Sequence, residues 1–251
     1  MSMVVEMNST LSVDCVIFGF DGESIKVLLV RRRVDHPGLD REDLKLPGAM
    51  ILENETLPQA AARVLEESTG LKGIELKQTS IFSNPHRVCD RELEWICKYH
   101  GIKTERVVSV GYYALVKLDP GIVFYTRKRG ATWMNVDEVR NLIMDHMEIL
   151  SDALTVLQRE ILYSAAGFSL LPKKFTVRQI QNLYEAIFGV EIDNRNFRKK
   201  LFSSDLLIDT GEMEIHVKHK PAKLYMLNKS SLSKRRISGF EFIPFLNKDK
   251  Q

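Results

Sequence analysis

The sequence predicts an α+β protein, with a mixed β-sheet between helices in an α/β/α sandwich and a small winged helix-turn-helix domain after it. Three features of the 251-residue chain support this fold class. Up to residue 145, segments rich in Val, Ile and aromatic residues surround amphipathic helices. Residues 146–166 have the apolar periodicity of one long helix without Gly or Pro. Residues 167–251 carry a capped helix, a basic helix and a hairpin in that order, which is typical of a winged helix.

We therefore predict three parts: a first domain (1–145), a linker helix (146–166) and a winged-helix domain (167–251). The first domain begins with a predicted β-hairpin, because residues 11–20 and 25–31 are rich in β-branched and aromatic side chains and flank the turn signal Asp21-Gly22. The same composition predicts three further strands, over 74–83, 106–118 and 131–136. Between the first two of these, the amphipathic sequence RELEWICKYHG predicts a short helix.

A helix is also predicted over residues 57–69. Thr56 is a suitable N-cap, and Pro58 lies in the first turn, where its missing N–H costs nothing. Gly70 is a good stop signal at the other end. The positions that share one face at helical spacing are Ala61, Val64, Leu65 and Ser68.

The C-terminal part has strong local signals for two helices. Thr176 and Gln179 form a capping-box pattern before a helix that Gly189 closes, and Asp193 is a suitable cap for a basic helix, NRNFRKKLFSS. After this helix come the sequence LLIDT and a predicted Gly-Glu turn. The residues after the turn predict two strands around a basic loop at 218–223.

Composition restricts the classes of function. With 44% hydrophobic and 27% charged residues, the chain is typical of globular proteins, and it has no apolar run near the roughly 18 residues that span a bilayer. Three cysteines are too few for a disulfide framework, so we expect a cytoplasmic protein and no membrane partner. From residue 168 onward the chain has 16 Lys+Arg and 9 Asp+Glu, which gives this part a net charge of +7. The remaining residues have a net charge of −4. This asymmetry favours nucleic-acid contact by the C-terminal part, although solvated surface lysines give the same charge.

Residues 48–71, GAMILENETLPQAAARVLEESTGL, carry the most specific motif. Hydrolysis of a pyrophosphate needs divalent cations, and these need several hard oxygen ligands in one place. Carboxylates three or four residues apart on a helix share one face and can supply such ligands. The motif contains Gly48, Glu55, Arg63, Glu67 and Gly70, of which Glu55 and Glu67 carry carboxylates.

The motif resembles the signature of the Nudix hydrolase family. That signature has Gly, five residues, Glu, seven residues, and then Arg-Glu-hydrophobic-any-Glu-Glu-any-Gly-hydrophobic. Here the first gap is one residue longer, Val64 replaces the Glu after the Arg, and Ser68 replaces the second Glu of the final pair. Glu66 falls at the variable position. The resemblance thus implies a Nudix fold with a vestigial box, no catalytic residues, no metal and no cofactor.

The whole chain resembles the Nudix-related transcriptional regulators. Besides the box, this rests on VDCVIFGF (13–20), RVVSVGYYALV (106–116), GFSLLPKKFTVRQIQNLYEAIFG (167–189) and DNRNFRKKL (193–201). The resemblance implies a non-catalytic Nudix domain that senses ADP-ribose or a pentose sugar, and a winged helix that binds double-stranded operator DNA. Because operators are commonly read by symmetric dimers, we also expect a homodimer.

The basic helix supplies donors suited to base edges and phosphates. Phe197 and Leu201, four residues apart, are expected in the core on its other face. The predicted DNA contacts are Asn194, Arg195, Asn196, Arg198 and Lys199 in the recognition helix, Lys218, Lys220 and Lys223 in the wing, and Thr176 and Arg178 at the preceding helix.

The effector-binding residues are predicted from arginines and polar groups near the ends of strands. They are Arg31, Arg33, Ser83, Arg87, Arg106 and Tyr112. Exposed arginines at a strand end are equally typical of ordinary surface charge. The segment from Pro85 to Glu105 is longer than the matching loop of the family, which leaves the identity of the effector open.

Three alternatives compete with a sensing regulator. The first is a Nudix hydrolase of nucleoside diphosphate sugars with an appended nucleic-acid-binding module, and the second is an RNA-binding module. The third concerns a local site: His86, Cys89, Cys97 and His100 are residue types that ligate zinc, but their central spacing is short for a zinc finger.

Overall fold

The computed structural model describes residues 7–32, 43–215, 217 and 220–231. The chain divides into two compact units, which are described separately. Unit 1 comprises Met1–Gly19 and Lys26–Thr155, and unit 2 comprises Phe20–Ile25 and Val156–Gln251. Among the described helices, none has the length and apolar character that crossing a membrane requires.

Unit 1 is built around one sheet. Its strands are β1 (Met7–Phe20), β2 (Ile25–Arg31), β3 (Leu44–Lys45), β4 (Gly48–Leu52), β5 (Leu76–Phe82), β6 (Val108–Lys117) and β7 (Ala131–Asn135). Within the described residues the sheet has seven strands in the order β3-β2-β1-β6-β5, with β4 paired to β1 and β7 paired to β2. The predicted α+β class, a mixed sheet with helices followed by a winged helix, is confirmed.

Helices cover this sheet. They are α1 (Leu57–Thr69), α2 (Asp90–His100), α3 (Pro120–Lys128) and α4 (His146–Tyr163). Helix α1 buries an apolar stripe against one face of the sheet, and the shared core includes Cys15 of β1, Val64 and Leu65 of α1, and Val110 of β6. Removing these side chains from water is the main source of stability for this layer. Helix α2 packs Trp95 and Ile96 in a second, smaller core with Met50 of β4.

Helix α4 contains residues of both units, because unit 1 ends at Thr155 and the helix runs on to Tyr163. It begins at His146 as predicted and ends three residues before the predicted end. The predicted division into 1–145, 146–166 and 167–251 stays a prediction.

Three elements of unit 1, the strands β3 and β4 and the helix α3, were not predicted from the sequence. Strand β4 begins the Nudix motif, and it is held by antiparallel pairing with β1, a contact between distant parts of the chain. Helix α3 is rich in β-branched and aromatic residues, which favour strands. Asp119 nevertheless caps it by accepting a hydrogen bond from the Ile122 N–H at 2.9 Å, and Pro120 occupies its first turn.

The winged helix of unit 2 comprises α5 (Val177–Phe188), α6 (Asn194–Ser203), β8 (Leu207–Met213) and β9 (Lys223–Leu227). The predicted caps are confirmed: Thr176 Oγ1 accepts from the Gln179 N–H at 3.2 Å, and Asp193 Oδ1 accepts from the Asn196 N–H at 2.8 Å. The predicted Gly-Glu turn is wrong, because β8 continues through Gly211 with an irregular register. The positive φ of Gly211, 71°, absorbs the irregularity without ending the strand.

Candidate functional site

The Nudix motif forms a loop and a helix that an ion pair closes. Arg63 of α1 donates from Nε and Nη2 to the two carboxylate oxygens of Glu55, both at 2.8 Å, and Nη2 also donates to the Met50 carbonyl at 3.1 Å. Glu55 in turn accepts from the Leu52 N–H at 3.1 Å. The hydrogen bonds from Arg63 lower the pKa of Glu55. Glu55 and Arg63 therefore shape the loop, and both carboxylate oxygens of Glu55 already accept hydrogen bonds.

The remaining positions of the motif do not fit a divalent metal. Val64 is only 3% exposed and packs in the core under α1, where a hydrated cation has no room. Glu67 is exposed and lies 3.6 Å from Arg63 Nη1, while Glu66 pairs with Lys72 at 2.9 Å. Across the described residues no group of three His, Cys, Asp or Glu side chains is placed to hold a metal ion.

A buried polar cluster lies around Asp14 of β1, whose side chain is 9% exposed. The Ser109 hydroxyl donates to the Asp14 carboxylate, and Ser12 Oγ donates to Ser109 Oγ at 3.0 Å. Arg87 Nη2 lies 3.8 Å from Asp14 Oδ2, and His146 Nε2 lies 3.7 Å from Oδ1. Burial of so many polar groups is tolerated only when they satisfy one another.

The Nudix motif begins directly against this cluster. Gly48 is the register partner of Asp14, and a Cβ at Gly48 would lie 2.0 Å from Asp14 Oδ1. Lys45 Nζ donates to the Gly48 carbonyl at 3.3 Å, and the Leu46 N–H donates to His146 Nδ1 at 3.0 Å. Gly48 is thus required because the strand and the carboxylate approach too closely for any side chain.

The charges in the cluster follow from burial and proximity. Burial raises the pKa of Asp14, but the positive charges of protonated His146, of Lys45 and of Arg87 more than offset this, so its pKa lies below the usual value. Burial lowers the pKa of His146 to about 4, so its imidazole is neutral at pH 7 and Nδ1 is free to accept the hydrogen bond from Leu46. With His146 neutral at pH 7, Lys45 and Arg87 are the neighbours whose positive charge favours ionised Asp14, while burial lowers the pKa of Lys45 itself.

The predicted effector residues separate into distinct places. Ser83 and Arg106 come together, since Arg106 Nη2 donates to the Ser83 carbonyl at 2.6 Å, and both are exposed. Arg87 is buried, with Asp145 as its partner. Tyr112 is 3% exposed, lies in the core under α1, and donates to Gln78 Oε1 at 3.3 Å. Arg31 is exposed at the end of β2, two strands away from β6 in the sheet. Arg33 lies outside the described residues.

The four zinc-type residues are not gathered into one site. Cys89 is the N-cap of α2 and contacts Glu92 Oε2 at 3.5 Å, whereas Cys97 Sγ donates to the Thr104 carbonyl at 3.5 Å. His86 is exposed in the loop before α2, and His100 ends that helix. Cys89 and Cys97 thus have separate local contacts, and the described residues contain no group of three metal-type side chains at this place.

Helix α6 has one buried face and one basic face. Phe197 and Leu201 are 4% and 0% exposed, as expected for the core side. The predicted DNA contacts on this helix are all exposed: Asn194, Arg195, Asn196, Arg198 and Lys199. Arg198 also stacks over the Phe202 ring at 5.6 Å, which orients its guanidinium along the helix. The helix therefore presents amide and guanidinium donors together to a ligand outside.

The other predicted DNA contacts differ in accessibility. Arg178, Lys220 and Lys223 are exposed, and Lys223 Nζ donates to Asp209 Oδ2 at 2.9 Å across the wing. Thr176 is 4% exposed, and its hydroxyl is engaged in capping α5. Lys218 lies outside the described residues.

Sequence reasoning missed most of the buried cluster. Asp14, Ser109, Asp145 and His146 were not predicted to act together, and Arg87 was predicted to face a ligand instead. One signal was present: Asp14 is the single charged residue within the apolar sequence VDCVIFGF. A carboxylate in the middle of a buried strand requires partners, although the sequence does not say which ones.

Models of two protein families match successive parts of the chain. A model of the NUDIX domain matches residues 8–153, and a model of the NrtR DNA-binding winged helix domain matches residues 167–227. The chain is 27% identical over 219 residues to the ADPR responsive transcriptional repressor NtrR of Acinetobacter baylyi, a match that covers 86% of this chain and 80% of that protein.

Two crystal structures of NrtR from Shewanella oneidensis are also similar. One has 30% identity and a TM-score of 0.67, covering 89% of this chain and 96% of that one. The other, complexed with a 27mer DNA, has 29% identity and a TM-score of 0.69, covering 89% and 95%. Both matches extend across nearly the full length of each protein.

Proposed function

Because this chain belongs to the Nudix family, and within it to the Nudix-related transcriptional regulators that include NrtR, we propose that it is an ADP-ribose-responsive regulator that binds operator DNA. The observation that carries the proposal is the exposed basic face of α6 within a winged helix of the NrtR type. In a helix-turn-helix protein the second helix enters the major groove, and its first turns contact base edges. Arg195 and Asn196 lie in those turns and have the side chains suited to guanine and adenine.

ADP-ribose is the proposed effector because the similar Acinetobacter baylyi protein is a repressor that responds to it. The Nudix unit of this chain is the part that would bind such a nucleotide. A pentose such as arabinose is the alternative ligand, and it has no diphosphate to attract the basic side chains of this unit.

The Nudix unit is proposed to bind its effector without hydrolysing it. Two observations support this proposal: Glu55 is held by Arg63, and Val64 lies in the core, whereas a catalytic cation needs a group of oxygen ligands. The competing function, hydrolysis of nucleoside diphosphate sugars, requires such a group. We further propose a homodimer, which would match the two half-sites of an operator, and action on DNA in the cytoplasm.

A gel-shift experiment tests this function. Duplex DNA from upstream of the gene and its neighbours is titrated with protein, alone and with ADP-ribose or arabinose. We expect a specific complex whose affinity ADP-ribose changes and arabinose does not. Magnesium-dependent release of AMP from ADP-ribose at an ordinary enzymatic rate would support the hydrolase instead. Binding to single-stranded RNA without preference for the duplex would support an RNA-binding module.

A further inference from the structure

The start of helix α4 is held by a buried bidentate ion pair. Asp145, the residue before the helix, accepts from Arg87 Nε and Nη2, both at 2.7 Å. The side chains of Arg87 and Asp145 are 3% and 12% exposed. Two parallel hydrogen bonds between a guanidinium and a carboxylate fix orientation as well as distance. The loop that carries Arg87 therefore positions the first turn of α4.

The same turn is hydrogen-bonded to the segment that leads into the Nudix motif. His146, the first residue of α4, accepts from the Leu46 N–H, and the preceding Lys45 donates to the Gly48 carbonyl. Gly48 begins the motif and lies against Asp14, which is also close to His146 and Arg87. A movement of residues 45–48 must therefore move or break contacts with the start of α4.

Such a cluster favours discrete arrangements over gradual ones. Separating Arg87 from Asp145 inside the protein would leave a buried charge without its partner, which is strongly destabilising. Close-packed interiors likewise do not deform continuously. Helix α4 runs from His146 to Tyr163, and its residues after Thr155 belong to unit 2.

We propose that the buried cluster of Asp14, Arg87, Asp145 and His146 transmits effector binding at the Nudix unit to helix α4 and thereby sets operator affinity. This inference rests on the proposed function and adds the residues through which it is regulated. Arg87 then acts as a positioning residue of the regulatory path and not as a contact of the effector. The effector shifts the equilibrium only by as much as it binds the two arrangements unequally.

The test compares operator affinity with and without saturating ADP-ribose in the full-length protein. Coupling between two sites commonly changes affinity by roughly 5- to 150-fold. The variant Asp145→Asn keeps the size of the side chain and one acceptor but removes its charge. The variant Arg87→Lys keeps the positive charge but loses the two parallel hydrogen bonds of the guanidinium. We expect either variant to bring the affinity ratio close to 1. Affinity for operator DNA alone, and for ADP-ribose alone, should each stay within about threefold of wild type.

Lys72→Met, which removes an exposed ion pair in the same unit, is the matched control and should retain the full ratio.

Coupling is reciprocal, so operator DNA must change the affinity for ADP-ribose by the same factor. If ADP-ribose leaves operator affinity of the wild type unchanged, the proposed function fails and this inference fails with it. If the wild type is coupled and both variants keep its ratio, the inference alone is overturned. Hydrogen exchange on the wild type provides a check that needs no variant: ADP-ribose should change amide protection in residues 146–150, and unchanged protection there would contradict the path.

Discussion

The Nudix helix α1 and the recognition helix α6 both carry arginines, but the two helices use them in opposite ways. Arg63 of α1 is fixed by Glu55 at 2.8 Å and lies 3.6 Å from Glu67. On α6, no ion pair joins Arg195 or Arg198 to a carboxylate among the described residues. Positive charge that is already neutralised inside a fold stabilises structure, whereas exposed and unpaired charge attracts phosphate. This difference supports the proposal that Arg63 shapes the Nudix loop and that the arginines of α6 contact DNA.

Val64→Glu is expected to have the largest effect. It restores a residue of the hydrolase signature but places a carboxylate at a position that is 3% exposed among apolar side chains. Burial of an unpaired charge should lower the free energy of unfolding by about 4 kcal/mol, and no hydrolase activity should appear. Urea denaturation followed by circular dichroism measures this.

Ser68→Glu is the matched control, since Ser68 is half-buried on the same helix. It should change stability by less than about 1 kcal/mol. A Val64→Glu protein as stable as wild type would show that position 64 faces a polar cleft and not the core under α1.

The double variant Arg195→Ala, Arg198→Ala should come next in size. Each arginine that contacts a base edge contributes roughly 1–3 kcal/mol, so operator affinity should fall about 100-fold or more. Fluorescence anisotropy with an operator and a scrambled duplex measures the loss of affinity and of specificity. Lys229→Ala, an exposed lysine of the same unit, is the control. Unchanged specific binding in the double variant would show that α6 is not the recognition helix.

How far the sequence predicts this fold depends on whether the signals are local. Helices α1, α5 and α6 begin and end near their predicted bounds because their caps and stops lie within a few residues of them. Helix α3 was missed because its side chains favour a strand, and its cap at Asp119 is a single weak signal. The exposed basic face of α6 was equally accessible to prediction, since the charges and their spacing lie on one short helix; its contacts with DNA stay a prediction.

The buried cluster was not predictable in the same way. Asp14, Arg87 and Asp145 are far apart along the chain and meet only after strand β1, the loop after β5 and the start of α4 have packed. The sequence indicates that each residue is charged, but partner choice depends on register and packing. Arg87 was predicted to be an effector contact for this reason.

A smaller effect is expected from pH at His146. Its pKa falls from 6.5 to about 4 on folding, so between these values the unfolded chain binds more protons than the folded one. Stability contributed by this group is therefore complete above about pH 6.5 and is lost as the pH falls toward 4. We expect it to account for about 2 kcal/mol of lost stability between pH 7 and pH 5.

His146→Asn should remove this part of the pH dependence, because Asn keeps an acceptor for Leu46 but does not titrate. Denaturant unfolding at pH 7 and pH 5 compares the two proteins, and exposed His86→Asn serves as the reference variant. Equal loss of stability in wild type and His146→Asn would show that the imidazole is not buried in its neutral form.

The smallest effect is expected for Lys223→Ala in the wing. This exposed lysine is already paired with Asp209, so the variant should weaken DNA binding by less than about threefold. The loss should be equal for operator and scrambled duplex, because a phosphate contact carries no sequence information. A loss confined to the operator would instead assign Lys223 to base recognition.

The most direct test of ADP-ribose sensing without cleavage is operator binding by the full-length protein in the presence of ADP-ribose and magnesium, followed by recovery of the nucleotide. Anisotropy gives the operator Kd, and chromatography of the same sample shows whether ADP-ribose is intact. We expect ADP-ribose to change the Kd and to be recovered unhydrolysed. A Kd that does not respond to ADP-ribose, or its conversion to AMP at an enzymatic rate, would contradict the proposal that the Nudix unit senses this nucleotide without cutting it.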